Sequence, residues 1–96
     1  MTVEEFKASI AQSQPATFLS PLLKALWLDA KGDWQASHTI VQDMETKEAA
    51  WVHAYLHRKE GDEFNAGYWY TRAGKKFSKR SLDEEWKEIA EGLLNS

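Results

Sequence analysis

Apolar residues recur along this chain at intervals of three and four, the period of an amphipathic α-helix, and no segment alternates as a strand does. Turn and capping residues divide this pattern into successive helices. The predicted helices run from residue 3 to 13, from 21 to the glycine at 32, from 34 to about 44, from 47 to 60, from 63 to the glycine at 74, and from 82 to 93. The pattern therefore predicts one all-α domain, residues 1–96, of five or six antiparallel helices.

Two Gly-Asp pairs mark the sharpest turns. Gly32 and Gly61 each follow a helical stretch, and Asp33 and Asp62 come directly after them. Glycine ends helices in the left-handed conformation, and aspartate is a strong N-cap. We therefore expect a positive φ at both glycines and a new helix beginning after each aspartate.

The chain contains an internal repeat centred on these turns. The stretches KALWLDAKGDWQASHTIV and HAYLHRKEGDEFNAGYWY align with a spacing of 29 residues. A small residue, Ala25 or Ala54, lies seven positions before each glycine, and Ala66, Tyr70 and Ala73 follow the second one. Small residues permit close helix approach, so Ala54 and Ala66 are predicted to be tightly buried at helix crossings.

These motifs resemble the tetratricopeptide repeat, which has a small residue in its first helix, a Gly-Asp-aromatic turn and an A-x-x-x-[FY]-x-x-A second helix. Trp34 matches the turn aromatic, whereas Glu63, Ser37 and Val41 depart from the pattern. The resemblance covers a repeat-like core, residues 19–76, flanked by helices in residues 1–14 and 81–95. The block WVHAYLHRKEGD also resembles a family of small bacterial proteins, which adds no activity. A plain antiparallel bundle is the alternative.

The resemblance implies a concave groove lined by the first helix of each repeat. It places Trp51, Tyr55 and Arg58 on that wall, with Asp29 as the nearest acid to Arg58. Two aromatic rings beside a guanidinium suit a peptide carboxylate or an aromatic side chain. The alternative is that Trp51 and Tyr55 belong to the core, under the N-terminal helix.

Three histidines form a second candidate site. His53 and His57 are four residues apart, so their rings project from one helix face, and His38 could join them from the preceding helix. This spacing suits a transition metal. However, Ala54 stands where a zinc hydrolase carries its glutamate. The preferred interpretation is interior imidazoles facing the fifth helix, hydrogen-bonded for instance to Tyr70.

The fifth helix carries three consecutive aromatics, Tyr68, Trp69 and Tyr70, followed by Arg72. They cannot all point inward on a helix of about 3.6 residues per turn, so at least one is expected at a rim or interface. The basic residues at 75–80 are read as a solvated loop with charge complementarity to an acidic partner. The acidic run at 83–85 is read as helix capping.

Composition narrows the class of function. The net charge of −3 argues against a general nucleic-acid binder, and the absence of cysteine excludes disulfides and thiol chemistry. The N-terminal stretch lacks a signal-peptide pattern and no apolar run is long enough for a membrane span, so the expected location is the cytoplasm.

The sequence thus predicts a small interaction module that binds a peptide or protein partner, including another copy of itself, but neither nucleic acid nor membrane. The predicted binding residues are Trp51, Tyr55, Arg58, His57, Trp69 and Arg72. No catalytic residue, cofactor or metal ligand is assigned. A metal-binding protein or enzyme using His38, His53 and His57 is the alternative, and a structural homodimer is a third hypothesis.

Overall fold

In the computed structural model, which describes residues 1–95, these residues form six α-helices and one short 3-10 helix, with no β-strand among them. The helices are α1 (Val3–Ala8), α2 (Pro21–Ala30), α3 (Trp34–Val41), α4 (Lys47–Lys59), α5 (Glu63–Ala73) and α6 (Leu82–Leu94), and the 3-10 turn is Ser9–Ala11. The predicted all-α class is confirmed. None of these helices is long and apolar enough to cross a membrane.

The two Gly-Asp turns have the same backbone geometry. Gly32 and Gly61 have φ values of 92° and 87°, as predicted. Asp33 and Asp62 both accept a hydrogen bond from the backbone N–H three residues later, which caps α3 and α5. The N–H of each aspartate in turn donates to the carbonyl five residues earlier. The turns therefore join α2 to α3 and α4 to α5 as two matching helical pairs.

Small residues allow each pair to pack closely. Ala54 of α4 and Ala66 of α5 are fully buried together with Tyr70, as expected for a helix crossing. In the first pair the alanine of α2, Ala25, and the serine of α3, Ser37, are likewise fully buried. Ser37, which departs from the repeat pattern, thus still occupies a close-contact position between the helices.

Helix α6 packs across α2 and α4, and α1 packs against α6. The Trp86 ring stacks on Phe6 with centroids 5.5 Å apart, and its Nε1 donates to the carbonyl of Leu26 at 3.1 Å. Ile89 and Ala90 continue the same buried face. The face of α2 and α4 that the sequence suggested as a groove is therefore covered mainly by α6.

Two predicted boundaries need correction. The first helix was expected over residues 3–13, but α1 ends at Ala8 and tightens into the 3-10 turn, where the Ser9 hydroxyl bonds back to the Phe6 carbonyl. Helix α3 ends at Val41 rather than near Met44. Side chain–backbone hydrogen bonds of serine compete with a continued helix, which explains the first difference.

Candidate functional site

Three histidines from two helices meet on one side of the molecule, and we call them the histidine cluster: His38 of α3, and His53 and His57 of α4. Their ring centroids lie 4.8 to 5.3 Å apart. Nε2 of His38 is 3.1 Å from Nε2 of His53. One nitrogen from each ring lies within 4.8 Å of the other two. The convergence that the sequence left open is therefore present.

Two tryptophans hold these rings in place. Trp34 stacks on His38 at a centroid distance of 4.8 Å, while its Nε1 donates to the Leu56 carbonyl at 2.8 Å. Trp69 stacks on His53 at 3.9 Å with the rings 17° apart. The two stacked indoles, of which that of Trp34 is also hydrogen-bonded, restrict the rotation of the imidazoles, so the cluster is preorganised.

The hydrogen bonds of the cluster are incomplete. His57 Nδ1 lies 2.7 Å from a carboxylate oxygen of Glu60, so this contact favours the neutral tautomer with the proton on Nδ1, in which Nε2 has the lone pair. In His53, Nε2 faces His38, and the other ring nitrogen, Nδ1, is buried without a hydrogen-bond partner among residues 1–95. The side chain of His57 is only 12% exposed. A buried polar atom without a partner is uncommon and asks for an explanation.

The surroundings keep two of these rings neutral. Burial, together with the neighbouring histidines, lowers the pKa of His53 from 6.5 to about 4. Burial and the nearby His57 also lower the pKa of His38, against the opposing effect of Glu60. Neutral imidazoles are the form that binds metal, so neither ring has to lose a proton at neutral pH, and the proton between the two facing Nε2 atoms has only to move to the other nitrogen of its ring.

The nitrogen spacing can be compared with a metal site. Imidazole ligands at 2.0–2.1 Å from a tetrahedral Zn²⁺ have nitrogens about 3.3–3.4 Å apart. The His38–His53 pair, at 3.1 Å, is already near this spacing, and His57 is within 4.8 Å. The Glu60–His57 contact has the arrangement of the carboxylate partners that orient metal-binding histidines. The cluster therefore offers three nitrogen ligands and one outer carboxylate.

The predicted groove residues are placed differently. Tyr55 is 3% exposed, and burial and the nearby Asp29 raise its pKa. Asp29 was the acid expected to pair with Arg58, but it pairs with Lys59 instead, at 3.0 Å. Arg58 instead binds Glu85 of α6 at 2.8 Å and the backbone carbonyl of Arg80. Two of the three groove residues are thus engaged inside the protein.

Glu85 collects these contacts. One carboxylate oxygen accepts from Arg58, and the other accepts from Trp51 Nε1 at 3.2 Å and from the Tyr70 hydroxyl at 2.5 Å. We call Glu85, Arg58, Trp51 and Tyr70 the glutamate hub. Glu85 is completely buried, so helix capping, by which the acidic run at 83–85 was explained, does not account for its side chain. The Tyr70 hydroxyl donates to Glu85 and forms no hydrogen bond with the histidines, which the sequence had suggested as its partners.

The remaining predicted residues lie on the outer side of α5. The Arg72 guanidinium sits 5.7 Å over the ring of Tyr68 and 5.3 Å over that of Trp69. Tyr68 is the exposed member of the aromatic triplet, while Trp69 turns to the histidine cluster and Tyr70 to the interior. The expected division of the triplet is present.

Sequence reasoning missed several residues that shape the two polar clusters. Trp34 lies four positions before His38, and Glu60 three after His57, spacings that place each pair on one helix face. Those signals were readable. Glu85 also lies in the first turn of α6, and no local motif marks it as a buried residue that binds distant side chains. Comparisons of the chain with models of protein families, with curated proteins and with solved structures found no match.

Proposed function

We propose that this protein binds one divalent transition-metal ion through His38, His53 and His57. The observation that carries the proposal is the convergence of one nitrogen from each ring within 4.8 Å. The lowered pKa values of His38 and His53 support it, because neutral imidazoles are the form that binds a metal ion. This places the histidine hypothesis ahead of binding in the concave groove.

The ligand chemistry selects the class of ion. Imidazole nitrogen suits Zn²⁺, Cu²⁺, Ni²⁺ and Co²⁺, whereas Mg²⁺ and Ca²⁺ prefer oxygen. Three protein ligands leave a fourth position for water or for a further ligand. The carboxylate of Glu60 is occupied with His57, so the proposal is metal binding rather than hydrolysis.

An ion at this site would join the two helical pairs. His38 belongs to α3 of the first pair, whereas His53 and His57 belong to α4 of the second. A ligand that binds only the folded state stabilises it in proportion to its affinity and concentration. The ion would therefore act as a clamp between α3 and α4.

The test uses metal-free protein titrated with Zn²⁺, Co²⁺ and Cu²⁺. Calorimetry should give one ion per chain, and Co²⁺ should produce the visible absorption bands of a tetrahedral nitrogen site. Cu²⁺ should quench the fluorescence of Trp34 and Trp69, because both indoles stack on candidate ligand rings. Absence of stoichiometric binding by all three ions would overturn the proposal.

His38→Gln is the decisive variant. A second group of potential ligands, Glu60 and Asp62 with His57, also lies close together, but it does not include His38. Loss of the site in His38→Gln assigns binding to the histidine cluster. Unchanged binding in that variant would show that the ion binds Glu60, Asp62 and His57 instead, and the proposal as stated would be wrong.

A further inference from the structure

A groove on the other side of α4 shares no residue with the histidine cluster. Two adjoining clefts, of about 450 Å³ and about 290 Å³, both have Trp51 and Lys75 in their walls. Trp51 is held by Glu85 through its Nε1 and remains partly exposed. The Lys75 ammonium lies 4.2 Å over the centre of the indole ring. We call the joined clefts the lysine groove.

One end of the lysine groove is basic. Lys76, Lys79 and Arg80 line it, and residues 64–82 contain five Lys or Arg and no Asp or Glu. Within residues 1–95, Lys76 and Lys79 form neither an ion pair nor a side-chain hydrogen bond, whereas Arg80 lies 3.8 Å from Glu88. Since the whole chain carries −3, this concentration of unpaired positive charge is local.

The other end is apolar, and a glycine keeps it open. Ala73 of α5 and Ile89 of α6 form its walls, and Gly92 of α6 lies beside them. A Cβ built on Gly92 would be 3.9 Å from a ring carbon of Trp51, an ordinary contact. Glycine within a helix is in general less stable than alanine by about 0.5–1 kcal/mol, so the helical backbone gives no reason for a glycine at position 92. The missing side chain leaves room over the indole.

We propose that the lysine groove binds a short acidic peptide segment of a protein partner, with one apolar side chain of that segment packed in the apolar end of the groove, against Trp51 and Gly92. The unpaired lysines attract carboxylates, and the exposed indole face and open apolar end accept the side chain. Acidic side chains of α6, Glu84, Glu88 and Glu91, flank the basic end, so a long polyanion such as RNA is repelled there.

The probe is a short fluorescein-labelled peptide of aspartates and glutamates with one central leucine, followed by fluorescence anisotropy. Binding should weaken as salt is raised, since exposed charges contribute. Replacing the central leucine of the peptide by serine should also weaken binding. A thymidine oligonucleotide of equal charge is the comparison, and tighter binding of this oligonucleotide would overturn the proposal in favour of a nucleic acid.

Two variants of the protein test the two ends separately. Lys76→Glu/Lys79→Glu should lower affinity for the peptide at least about tenfold, because attraction becomes repulsion. The matched control Lys7→Glu/Lys31→Glu changes the net charge equally at exposed positions outside the groove, and should bind nearly as the unaltered protein does. Equal losses in both would show a general charge effect and overturn the assignment.

Gly92→Leu tests the apolar end without relying on charge. Leucine favours helix and meets no close atom at its Cβ, so folding should be retained while the longer side chain fills the cleft. Peptide affinity should fall about tenfold or more, with the thermal midpoint unchanged or higher. Undiminished affinity in a folded Gly92→Leu protein would place the peptide elsewhere and overturn the proposal.

Discussion

The glutamate hub and the histidine cluster are both polar groups inside a small helical protein, and they differ in how fully they are satisfied. Both oxygens of Glu85 accept hydrogen bonds, and Arg58 supplies the opposite charge. The histidine cluster is less fully satisfied, because within residues 1–95 His53 Nδ1 has no hydrogen-bond partner. A satisfied buried network stabilises one arrangement of helices, whereas an unsatisfied one retains capacity for a ligand.

The largest expected effect comes from breaking the glutamate hub. Glu85→Ala removes the acceptor of Trp51 and Tyr70 and leaves Arg58 without its internal acid. Removing one partner of a buried ion pair costs about 3–5 kcal/mol, and chemical denaturation should register this loss. The exposed Glu88→Ala is the matched control, expected within about 0.5 kcal/mol. Comparable losses in both variants would contradict the assigned role of Glu85.

Metal binding should give the next largest effect, and only at the histidine cluster. At a free Zn²⁺ concentration of 100 times the dissociation constant, stabilisation should be about 2.7 kcal/mol. For a domain of this size that shifts the thermal midpoint by roughly 10–20 °C. Circular dichroism melts with and without Zn²⁺ measure it. His38→Gln should abolish the shift, and a shift that persists in this variant would dissociate stabilisation from the cluster.

The sequence predicted local structure well because local structure depends on nearby residues. The positive φ at Gly32 and Gly61 and the aspartate caps follow from residues within one turn. The burial of Ala54 followed from a repeated spacing. The resemblance to tetratricopeptide repeats stays a prediction, since helical class alone does not test it.

The sequence failed where side chains choose among distant partners. Arg58 had two acids within reach, Asp29 and Glu85, and the position of α6 decided between them. That position is set by packing around Trp86 rather than by any motif near Arg58. His53 and His57 were predictable as a pair because a helix joins them, but His38 came from another helix. Tertiary placement thus fixed the chemistry of both clusters.

Acid should weaken the fold through His53. Its pKa is about 4 in the folded protein and near 6.5 when unfolded, so the unfolded chain binds more protons between these values. Stability therefore falls as pH falls through this window, by roughly 1–2 kcal/mol between pH 6.5 and 5. Urea midpoints across this range measure the slope. His53→Gln should flatten it relative to the unaltered protein, and an equal slope in both would contradict the titration of His53.

The smallest effect on stability should come from Glu60→Gln, and this variant separates the two roles of a polar residue most cleanly. Glu60 is exposed and its ion pair is with His57, so its loss should change stability by less than about 1 kcal/mol. If His57 is a metal ligand, however, Glu60 fixes which nitrogen faces the ion, and such outer carboxylates contribute about 10–100-fold in metal affinity. Calorimetry of Zn²⁺ binding should therefore show a clear loss in a protein whose denaturation curve hardly moves.

The glutamate hub predicts the reverse behaviour, because Glu85 contacts no histidine and Glu85→Ala should lower stability strongly. If Glu60→Gln bound Zn²⁺ as tightly as the unaltered chain, His57 would be a packing residue, and the contrast between the two clusters would reduce to burial alone.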